Sequence, residues 1–447
     1  MKNNRLLVMI SIVLAMLVAS MDSTIINTTM PIIAEELGQF ELYAWTFAAY
    51  MIFSTVLAPL AGRLSDLFGR KKVFGFGILF FLFGSILCGT AQTMLQLVIF
   101  RAIQGMGAGI MNPFPLIIAG DLYSVEKRGK IQALFTGMWG LSAVLAPLLG
   151  SLFIEVATWR WVFFVNIPIC LLSFVLLLAY RDEYEPKRSR VDYLGALIFS
   201  GGISLLLALT VVESGHLYFA LGGLVLLAGF YFFEKRHDSP IVPLSLLHNR
   251  PVAWMNITMF FAYGGVFGAS SYLPMFLQNQ GYSIFVSGVA LLGMSAGWMA
   301  AAIPVGRIIK NYGYRRPILL GNLLQVAAGV WFIFINESSG FTFIFIGTLI
   351  LGLAFGLMST ISMIGSQQFV GPTQKGISTS LQFFSRNIGT AVTVTIMGAF
   401  LAKTTAMIAG FQYLFYFGLV VSVLALLSSM MVRDPGQNEI RIQGSQA

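Results

Sequence analysis

One short stretch between two long apolar runs decides the fold: Gly62-Arg63-Leu64-Ser65-Asp66-Leu67-Phe68-Gly69-Arg70-Lys71-Lys72. The chain repeats it at a constant offset: Gly306-Arg307-Ile308-Ile309-Lys310-Asn311-Tyr312-Gly313-Tyr314-Arg315-Arg316. The glycines at both ends and the basic residues that follow correspond, but Lys310 replaces Asp66. The repeat predicts two related halves. Because Lys310 stands in place of Asp66, we expect only the N-terminal copy to use a carboxylate at this turn.

The composition identifies the class of protein. Hydrophobic residues make up 57% of the 447 residues and charged residues only 10%, which is not the composition of a soluble domain. Runs of about 20 apolar residues, long enough to cross the hydrocarbon core as a helix, recur along the chain. A net charge of +9 would suggest a nucleic-acid partner in a soluble protein. Here the basic residues lie in short loops, where they orient membrane helices, so we expect no such partner.

The apolar runs predict fourteen membrane-spanning helices, numbered below as spans. They cover residues 6–30, 44–62, 72–92, 94–120, 131–154, 161–180, 192–212, 216–233, 252–277, 283–309, 316–336, 340–365, 375–401 and 411–432. Basic residues are concentrated in alternate loops, whereas the opposite loops contain only Arg160 and Lys403. The positive-inside rule then places both termini in the cytoplasm, which requires an even number of spans. Twelve spans are the alternative if two of the fourteen are false.

The pattern predicts an all-α membrane fold of two six-helix bundles with an inserted two-helix hairpin. The N-terminal bundle covers 1–185, a linker with two extra spans 186–245, the C-terminal bundle 246–435, and a cytoplasmic tail 436–447. Charged segments flank the extra pair and separate the two repeats. Parallel repeats of this kind hold a substrate site near the middle of the membrane in many transporters.

Five motifs in the expected order resemble those of the major facilitator superfamily and, within it, of the fourteen-helix drug:proton antiporters. They are Asp22 to Asn27 with Pro31 in span 1, Gly62 to Lys72 after span 2, Arg101 to Gly109 in span 4, Gly137, Gly140, Pro147 and Gly150 in span 5, and Trp159 to Pro168 at the start of span 6. Ala146 stands where the span 5 antiporter signature more often has glycine. The resemblance implies the major facilitator fold in a bacterial inner membrane. It also implies proton-coupled efflux of lipophilic drugs or toxic compounds by a monomer, with protons and small-molecule substrates as partners and no cofactor.

Three charged residues lie well inside the predicted spans: Asp22, Arg101 and Arg386. Charges in the hydrocarbon are costly and therefore point to function. At a rise of about 1.5 Å per residue, Asp22 and Arg101 lie at similar depths and can pair. Burial favours a protonated carboxyl and a neighbouring arginine favours an ionised one, so this pair suits proton coupling; the resemblance implies a proton-transfer role for Arg101. The alternatives are a static ion pair between spans 1 and 4, or capping of local backbone by Asp22.

The basic turn is predicted to act as a cytoplasmic latch that holds one conformation. Its residues are Gly62, Arg63, Asp66, Gly69 and Arg70. The glycines allow a tight turn and close helix approach, and Asp66 can accept hydrogen bonds from a helix N-terminus or pair with an arginine. The alternative is that the basic residues only set topology.

Polar residues inside other spans are candidates for the lining of a substrate cavity. They are Asn27, Gln104, Asn256, Gln278, Gln382, Arg386 and Asn387. Arg386 has no acidic residue in the predicted spans of its half of the chain, so it can bind an anionic substrate group or bond to backbone carbonyls. Each of the amides can instead form an interhelical hydrogen bond.

Other classes of function find little support in the sequence. Cys88 and Cys170 lie in apolar runs without metal-ligand spacing, so we expect neither metal nor redox chemistry. No phosphate-binding loop of the ATP-driven pumps occurs, and no catalytic residue set indicates an enzyme. Two alternatives to drug efflux stay open: a dedicated exporter of one metabolite, siderophore or antibiotic, and a membrane sensor or scaffold that does not transport. Buried charges argue against the scaffold.

Overall fold

The computed structural model describes residues 4–38, 42–181, 193–208, 215–236, 246, 249–282, 284–371, 374–403 and 407–434. The secondary structure of these residues consists of helices joined by short turns. The helices are α1 (Arg5–Leu37), α2 (Tyr43–Phe68), α3 (Arg70–Gly89), α4 (Met94–Met111), α5 (Phe114–Leu122), α6 (Val125–Val156), α7 (Trp161–Phe164), α8 (Asn166–Leu177), α9 (Tyr193–Ala208), α10 (His216–Glu234), α11 (Arg250–Asn279), α12 (Ile284–Val289), α13 (Leu292–Ala302), α14 (Val305–Tyr312), α15 (Arg315–Ile333), α16 (Phe341–Gln368), α17 (Lys375–Lys403) and α18 (Met407–Met430).

Every predicted span contains a helix, which confirms the predicted all-helical membrane fold. Within the described residues, nine helices are long and apolar enough to cross a membrane on their own, or ten if a bent pair counts as one span. That pair bends by 49° between Ala302 and Val305, next to Pro304, which has no N–H for helical hydrogen bonding. Two further spans are interrupted, the fourth between α4 and α5 and the sixth between α7 and α8.

The predicted boundaries at 185 and 245 and the tail 436–447 lie at the edges of the described residues or outside them. By its internal contacts the chain divides into two compact units. Unit 1 comprises Met1–Leu122, Met138–Leu244 and Thr373–Phe384, and unit 2 comprises Tyr123–Gly137, Ser245–Pro372 and Ser385–Ala447. Each unit is described separately below.

Unit 1 is built around α4, which packs closely against both α2 and α3. Glycines make this possible: a Cβ on Gly105 would lie 2.5 Å from the backbone oxygen of Tyr50 in α2, and Gly109 one turn later makes a similar approach. Gly107 faces the backbone of α3 in the same way. The glycine spacing of the Arg101 to Gly109 motif therefore seats one helix between two others, and its first residue, Arg101, points to the interior of the unit.

Unit 2 has a core rich in aromatic residues between α11, α13 and α16. Phe355 of α16 receives Tyr263 and Trp298 edge-on, each with its ring centroid 4.6 Å away. A Cβ on Gly356 would lie 2.5 Å from the backbone oxygen of Trp298, so α13 and α16 are also in backbone contact. Such edge-to-face packing adds to the stability that burial alone provides.

Candidate functional site

Asp22 of α1 and Arg101 of α4 form a buried ion pair in unit 1. Arg101 Nη1 lies 2.7 Å from Asp22 Oδ2, and both side chains are only 1% exposed. Similar depths along α1 and α4 made this pairing feasible, and the structure places the two groups in contact. Because neither charge reaches solvent, each depends on its neighbours for stabilisation.

Amide side chains complete the coordination of the Asp22 carboxylate. Gln104, one turn after Arg101, donates from Nε2 to Asp22 Oδ1 at 2.7 Å, and Asn166 at the start of α8 donates from Nδ2 to the same oxygen at 3.4 Å. Both amides also donate to Ser85 Oγ of α3, at 2.7 Å and 3.1 Å. Four helices thus supply one buried polar cluster. We call Asp22, Ser85, Arg101, Gln104 and Asn166 the Asp22 cluster.

Arg101 makes further contacts that fix its orientation. Its Nη1 also donates to Gln104 Oε1 at 2.6 Å, and its guanidinium carbon lies 4.2 Å from the centroid of the Tyr50 ring. Its buried Nε atom has no hydrogen-bond partner among the described residues. A guanidinium held between a carboxylate and an aromatic face can stay charged in a dry interior. Its Nε–H can donate a hydrogen bond to a further acceptor.

Sequence reasoning missed three of the side chains around this pair. Ser85 and Tyr50 carry no signal by themselves, since serine and tyrosine are ordinary in apolar helices. Asn166 lies in the Trp159 to Pro168 motif, and an amide after a long apolar run was a usable sign. The same motif makes a second contact, near the end of α1. There Arg160 donates to Glu36 Oε1 at 2.8 Å, and this hydrogen bond lowers the pKa of Glu36.

The Gly62 to Lys72 stretch is mostly helical, since residues 62–68 are the last of α2 and residues 70–72 the first of α3. The expected tight turn is confined to Gly69, and the predicted span ends at 62 and 72 were wrong by several residues. Gly69 has φ +96°, a conformation that favours glycine. Asp66, just before it, accepts hydrogen bonds from the backbone N–H groups of Gly376 at 3.2 Å and Ile377 at 2.9 Å. These are first-turn amides of α17, so Asp66 caps that helix with a negative charge. Gly62 allows the approach, because a Cβ there would lie 2.5 Å from the backbone oxygen of Gly376.

Arg70 joins Asp66 to a second acid. Fully buried, it donates from Nη1 to Asp66 Oδ1 at 2.8 Å and from Nε to Asp121 Oδ2 at the end of α5. Asp121 was assigned no role from the sequence; its position at the end of span 4 was the available signal. Arg63 is half-buried at the same end of α2. Arg70 therefore bridges the two carboxylates and fixes the orientation in which Asp66 caps α17.

The second copy of the turn, in unit 2, has the same backbone and a different charge arrangement. Gly313 has φ +71°, and a Cβ on Gly306 would lie 2.6 Å from the Cα of Glu126 at the start of α6. The Glu126 carboxylate accepts hydrogen bonds from the backbone N–H of Glu126 itself and from the Ser124 side chain, and these lower the pKa of Glu126. The nearby charge of Lys310 lowers it further. The base at 310 therefore faces a helix start that contains its own acid.

The chain matches the family described as Major Facilitator Superfamily over residues 12–394. It belongs to this superfamily. It is 32% identical over 413 residues to the multidrug transporter protein MdtP of Bacillus subtilis, covering 89% of this chain and 75% of that protein. It is 33% identical over 416 residues to multidrug resistance protein 3 of the same organism, covering 88% and 78%.

A solved structure agrees on the fold. The proton:xylose symporter XylE superposes with a TM-score of 0.71 at 14% identity, covering 99% of both chains. At that identity the likeness concerns the fold alone. The family match and the named relatives, together with this fold, identify the chain as a membrane transporter of the major facilitator type and not an enzyme.

The remaining cavity candidates of this superfamily member lie in different surroundings. In unit 2, Arg386 is half-buried, its Nη1 lies 3.4 Å from Tyr263 Oη, and Asn256 accepts from Ser385 at 3.1 Å. Gln382 in unit 1 is buried and neither of its amide atoms has a hydrogen-bond partner. Among the others, Gln278 is exposed at the end of α11, Asn387 is half-buried, and the side chain of Asn27 lies outside the described residues. Gln104 belongs to the Asp22 cluster.

The span 5 signature lies on α6, which runs as a continuous helix through all four positions. Gly150 is buried, and Gly137 is half-buried with Met299 Cε 3.7 Å from where its Cβ would be. The side chains at Gly140 and Pro147 lie outside the described set. The predicted roles of these residues stay predictions.

Proposed function

We propose that the chain is a proton-coupled antiporter that exports lipophilic drugs or other toxic compounds. Relatives about one-third identical are multidrug transporters by name, and they cover most of the chain. The observation that carries the coupling proposal is the buried Asp22–Arg101 pair. A transporter that exchanges a proton for substrate needs a group whose proton affinity changes with its surroundings, and a carboxylate in a dry interior beside a movable cation is such a group.

The charge balance of the cluster explains how the exchange works. While Arg101 contacts Asp22, the ionised carboxylate is favoured. Rotation of Arg101 toward another partner removes that stabilisation, and burial then favours the neutral acid. Substrate arrival that displaces the guanidinium while the site stays dry therefore drives proton uptake, and return of the guanidinium, or hydration of the carboxylate, drives release. Arg101 thus takes part in proton transfer by controlling the proton affinity of Asp22.

The turn capped by Asp66 serves in this proposal as the latch that stabilises one conformation. Gly62, Gly69 and Arg70 hold Asp66 in place, with Arg63 at the same helix end. Substrate contacts are assigned to Arg386, Asn256, Asn387, Gln382, Gln278 and Asn27. The chain is organised as two six-helix bundles, 1–185 and 246–435, joined by the 186–245 hairpin. It functions as a monomer in a bacterial inner membrane with both termini in the cytoplasm.

Transport by the purified protein in proteoliposomes tests the coupling. Export of a fluorescent lipophilic dye driven by a pH gradient is compared between the wild type, Asp22→Asn and Ser11→Ala. Ser11 is a matched control because it is a buried polar residue of α1 that bonds to Ser173 instead of to the Asp22 cluster. We expect gradient-driven transport to be lost in Asp22→Asn and kept in Ser11→Ala. Normal gradient-driven transport by Asp22→Asn would remove Asp22 from the coupling role.

A further inference from the structure

The hydrogen-bond arrangement around Asp22 points to Asn166 as the positioning residue that links the protonation of Asp22 to movement of α8. The inference rests on the proposed proton coupling at Asp22 and goes beyond it, because it names the element that responds. Asn166 begins α8, its side chain is buried, and it was assigned no role from the sequence.

The described hydrogen-bond partners of the Asp22 carboxylate are all donors. Arg101 Nη1 donates to Oδ2, and Gln104 Nε2 and Asn166 Nδ2 donate to Oδ1. An ionised carboxylate is an acceptor only, whereas a protonated one carries an O–H that needs an acceptor. The observed arrangement therefore belongs to the ionised form. Protonation must change at least one of these contacts.

Two nearby acceptor oxygens are already occupied. Ser85 Oγ accepts from both Gln104 and Asn166, and Gln104 Oε1 accepts from Arg101 at 2.6 Å and faces Cys88 Sγ at 3.6 Å. A buried O–H without an acceptor costs about 1–3 kcal/mol. The new proton therefore requires one of the two amides to turn and present its carbonyl oxygen.

Asn166 is the amide that can turn most easily. Its two hydrogen bonds, at 3.4 Å and 3.1 Å, are longer than the 2.7 Å bonds of Gln104, and hydrogen bonds weaken with length. Gln104 is also tied to Arg101. Rotation of the Asn166 carboxamide exchanges its Nδ2 for its Oδ1 and turns a donor to the carboxylate into an acceptor from the acid.

The backbone around Asn166 is suited to transmit this change. The helix is interrupted at Val165 between α7 and α8, and Pro168, two residues after Asn166, has no N–H to bond to Phe164 of α7. The start of α8 is therefore less tightly tied to α7 than an unbroken helix would be. A change at the Asn166 side chain can shift this turn without breaking the backbone hydrogen bonds that a continuous helix would have there.

The proton step is balanced within the cluster. A hydronium ion transfers its proton to Asp22 Oδ1 and leaves as water, so the carboxyl goes from negative to neutral while Arg101 keeps its positive charge. The hydrogen bond that Asn166 Nδ2 donated to Asp22 is replaced by one that the new O–H of Asp22 donates to Asn166 Oδ1. Other titratable groups around Asp22 are Tyr50 of α2, Cys88 of α3 and Cys170 of α8.

A double-mutant experiment tests the link. Asp22→Asn imitates the neutral acid. Its effect on amide hydrogen exchange in residues 160–170 is measured by mass spectrometry in the wild-type, Asn166→Leu and Ser173→Ala backgrounds. Ser173 is the matched control, a buried polar residue of α8 that bonds to Ser11. We expect Asp22→Asn to alter exchange in 160–170 in the wild type and in Ser173→Ala, and to have no effect in Asn166→Leu. We also expect Asn166→Leu to slow gradient-driven transport about tenfold, the worth of one hydrogen bond.

The outcomes separate the two proposals. Persistence of the Asp22→Asn effect in Asn166→Leu, or its absence in the wild type while Asp22→Asn abolishes transport, overturns the role of Asn166 and leaves proton coupling at Asp22 intact. Normal gradient-driven transport by Asp22→Asn overturns the coupling proposal itself. If Asn166→Leu does not purify as a folded monodisperse protein, Asn166→Ala replaces it with the same expectation.

Discussion

Removing the carboxylate of Asp66 should loosen the start of α17. Asp66→Ala deletes a charged acceptor of two backbone N–H groups, at 3.2 Å and 2.9 Å, and one partner of the fully buried Arg70. Hydrogen bonds to a charged group are worth about 1.5–3 kcal/mol each, and breaking a buried ion pair costs about 3–5 kcal/mol. These contributions overlap, and Arg70 keeps its hydrogen bond to Asp121. We therefore expect a local loss of about 3 kcal/mol, or about 100-fold in the opening equilibrium.

Hydrogen exchange measures this opening directly. In Asp66→Ala, exchange of the peptide covering 374–384 should accelerate by about that factor. Asp434→Ala is the matched control, because Asp434 Oδ1 accepts from the backbone N–H groups of Tyr314 at 2.7 Å and Arg315 at 3.1 Å. Asp434 is exposed, so its loss should cost only about 1 kcal/mol, as is typical of a helix cap, and should accelerate exchange in 314–322 by about fivefold.

Two results would refute this reasoning. Unchanged exchange in 374–384 of a folded Asp66→Ala protein would show that the cap contributes nothing to the stability of α17. Equal acceleration in the two variants would show that burial of Asp66 and its pairing with Arg70 add nothing to ordinary capping. Asp66→Asn should fall between wild type and Asp66→Ala, since the amide keeps an acceptor oxygen and loses the charge.

Two further predictions concern glycine packing and the second copy of the turn. Gly107→Val, whose side chain would meet the backbone of Phe80 and Phe81 in α3, should lower the melting temperature by several degrees, consistent with an overpacking cost of about 1–3 kcal/mol; Gly229→Val, with no atom within 4 Å of its Cβ position, should not, and equal melting temperatures would contradict the packing argument. Lys310→Glu places a negative charge near Glu126 and should accelerate hydrogen exchange at the start of α6 in low salt but not in high salt, where screening removes the repulsion; the same acceleration at both salt concentrations would exclude a charge effect.

The sequence predicted the helices and their order because apolar length is a direct requirement of the bilayer. It also indicated that Asp22 and Arg101 lie at similar depths and can pair, because depth along a helix follows from counting residues. It could not predict that Ser85 and Asn166 join the pair. Which face of a helix points inward is read from an apolar stripe, and helices such as α3 and α8 are apolar on all sides. Their rotation is set by glycine contacts such as Gly84 with Gln104, where a Cβ would lie 2.5 Å from the partner Cα.

The two copies of the basic turn solve one electrostatic problem in opposite ways. A helix N-terminus attracts negative charge, and each turn lies against the start of a helix. The first turn of α17 begins Lys375-Gly376-Ile377 and has no acid, so Asp66 supplies one from α2. The first turn of α6 has Glu126, so an acid at position 310 would repel it and Lys310 complements it instead. The exchange of Asp66 for Lys310 therefore follows from where the acid lies: in the turn for the first copy, and in the helix that the turn contacts for the second.

The first acid is buried with Arg70 and Asp121 and the second is exposed. Salt should consequently weaken the second contact and leave the first unchanged.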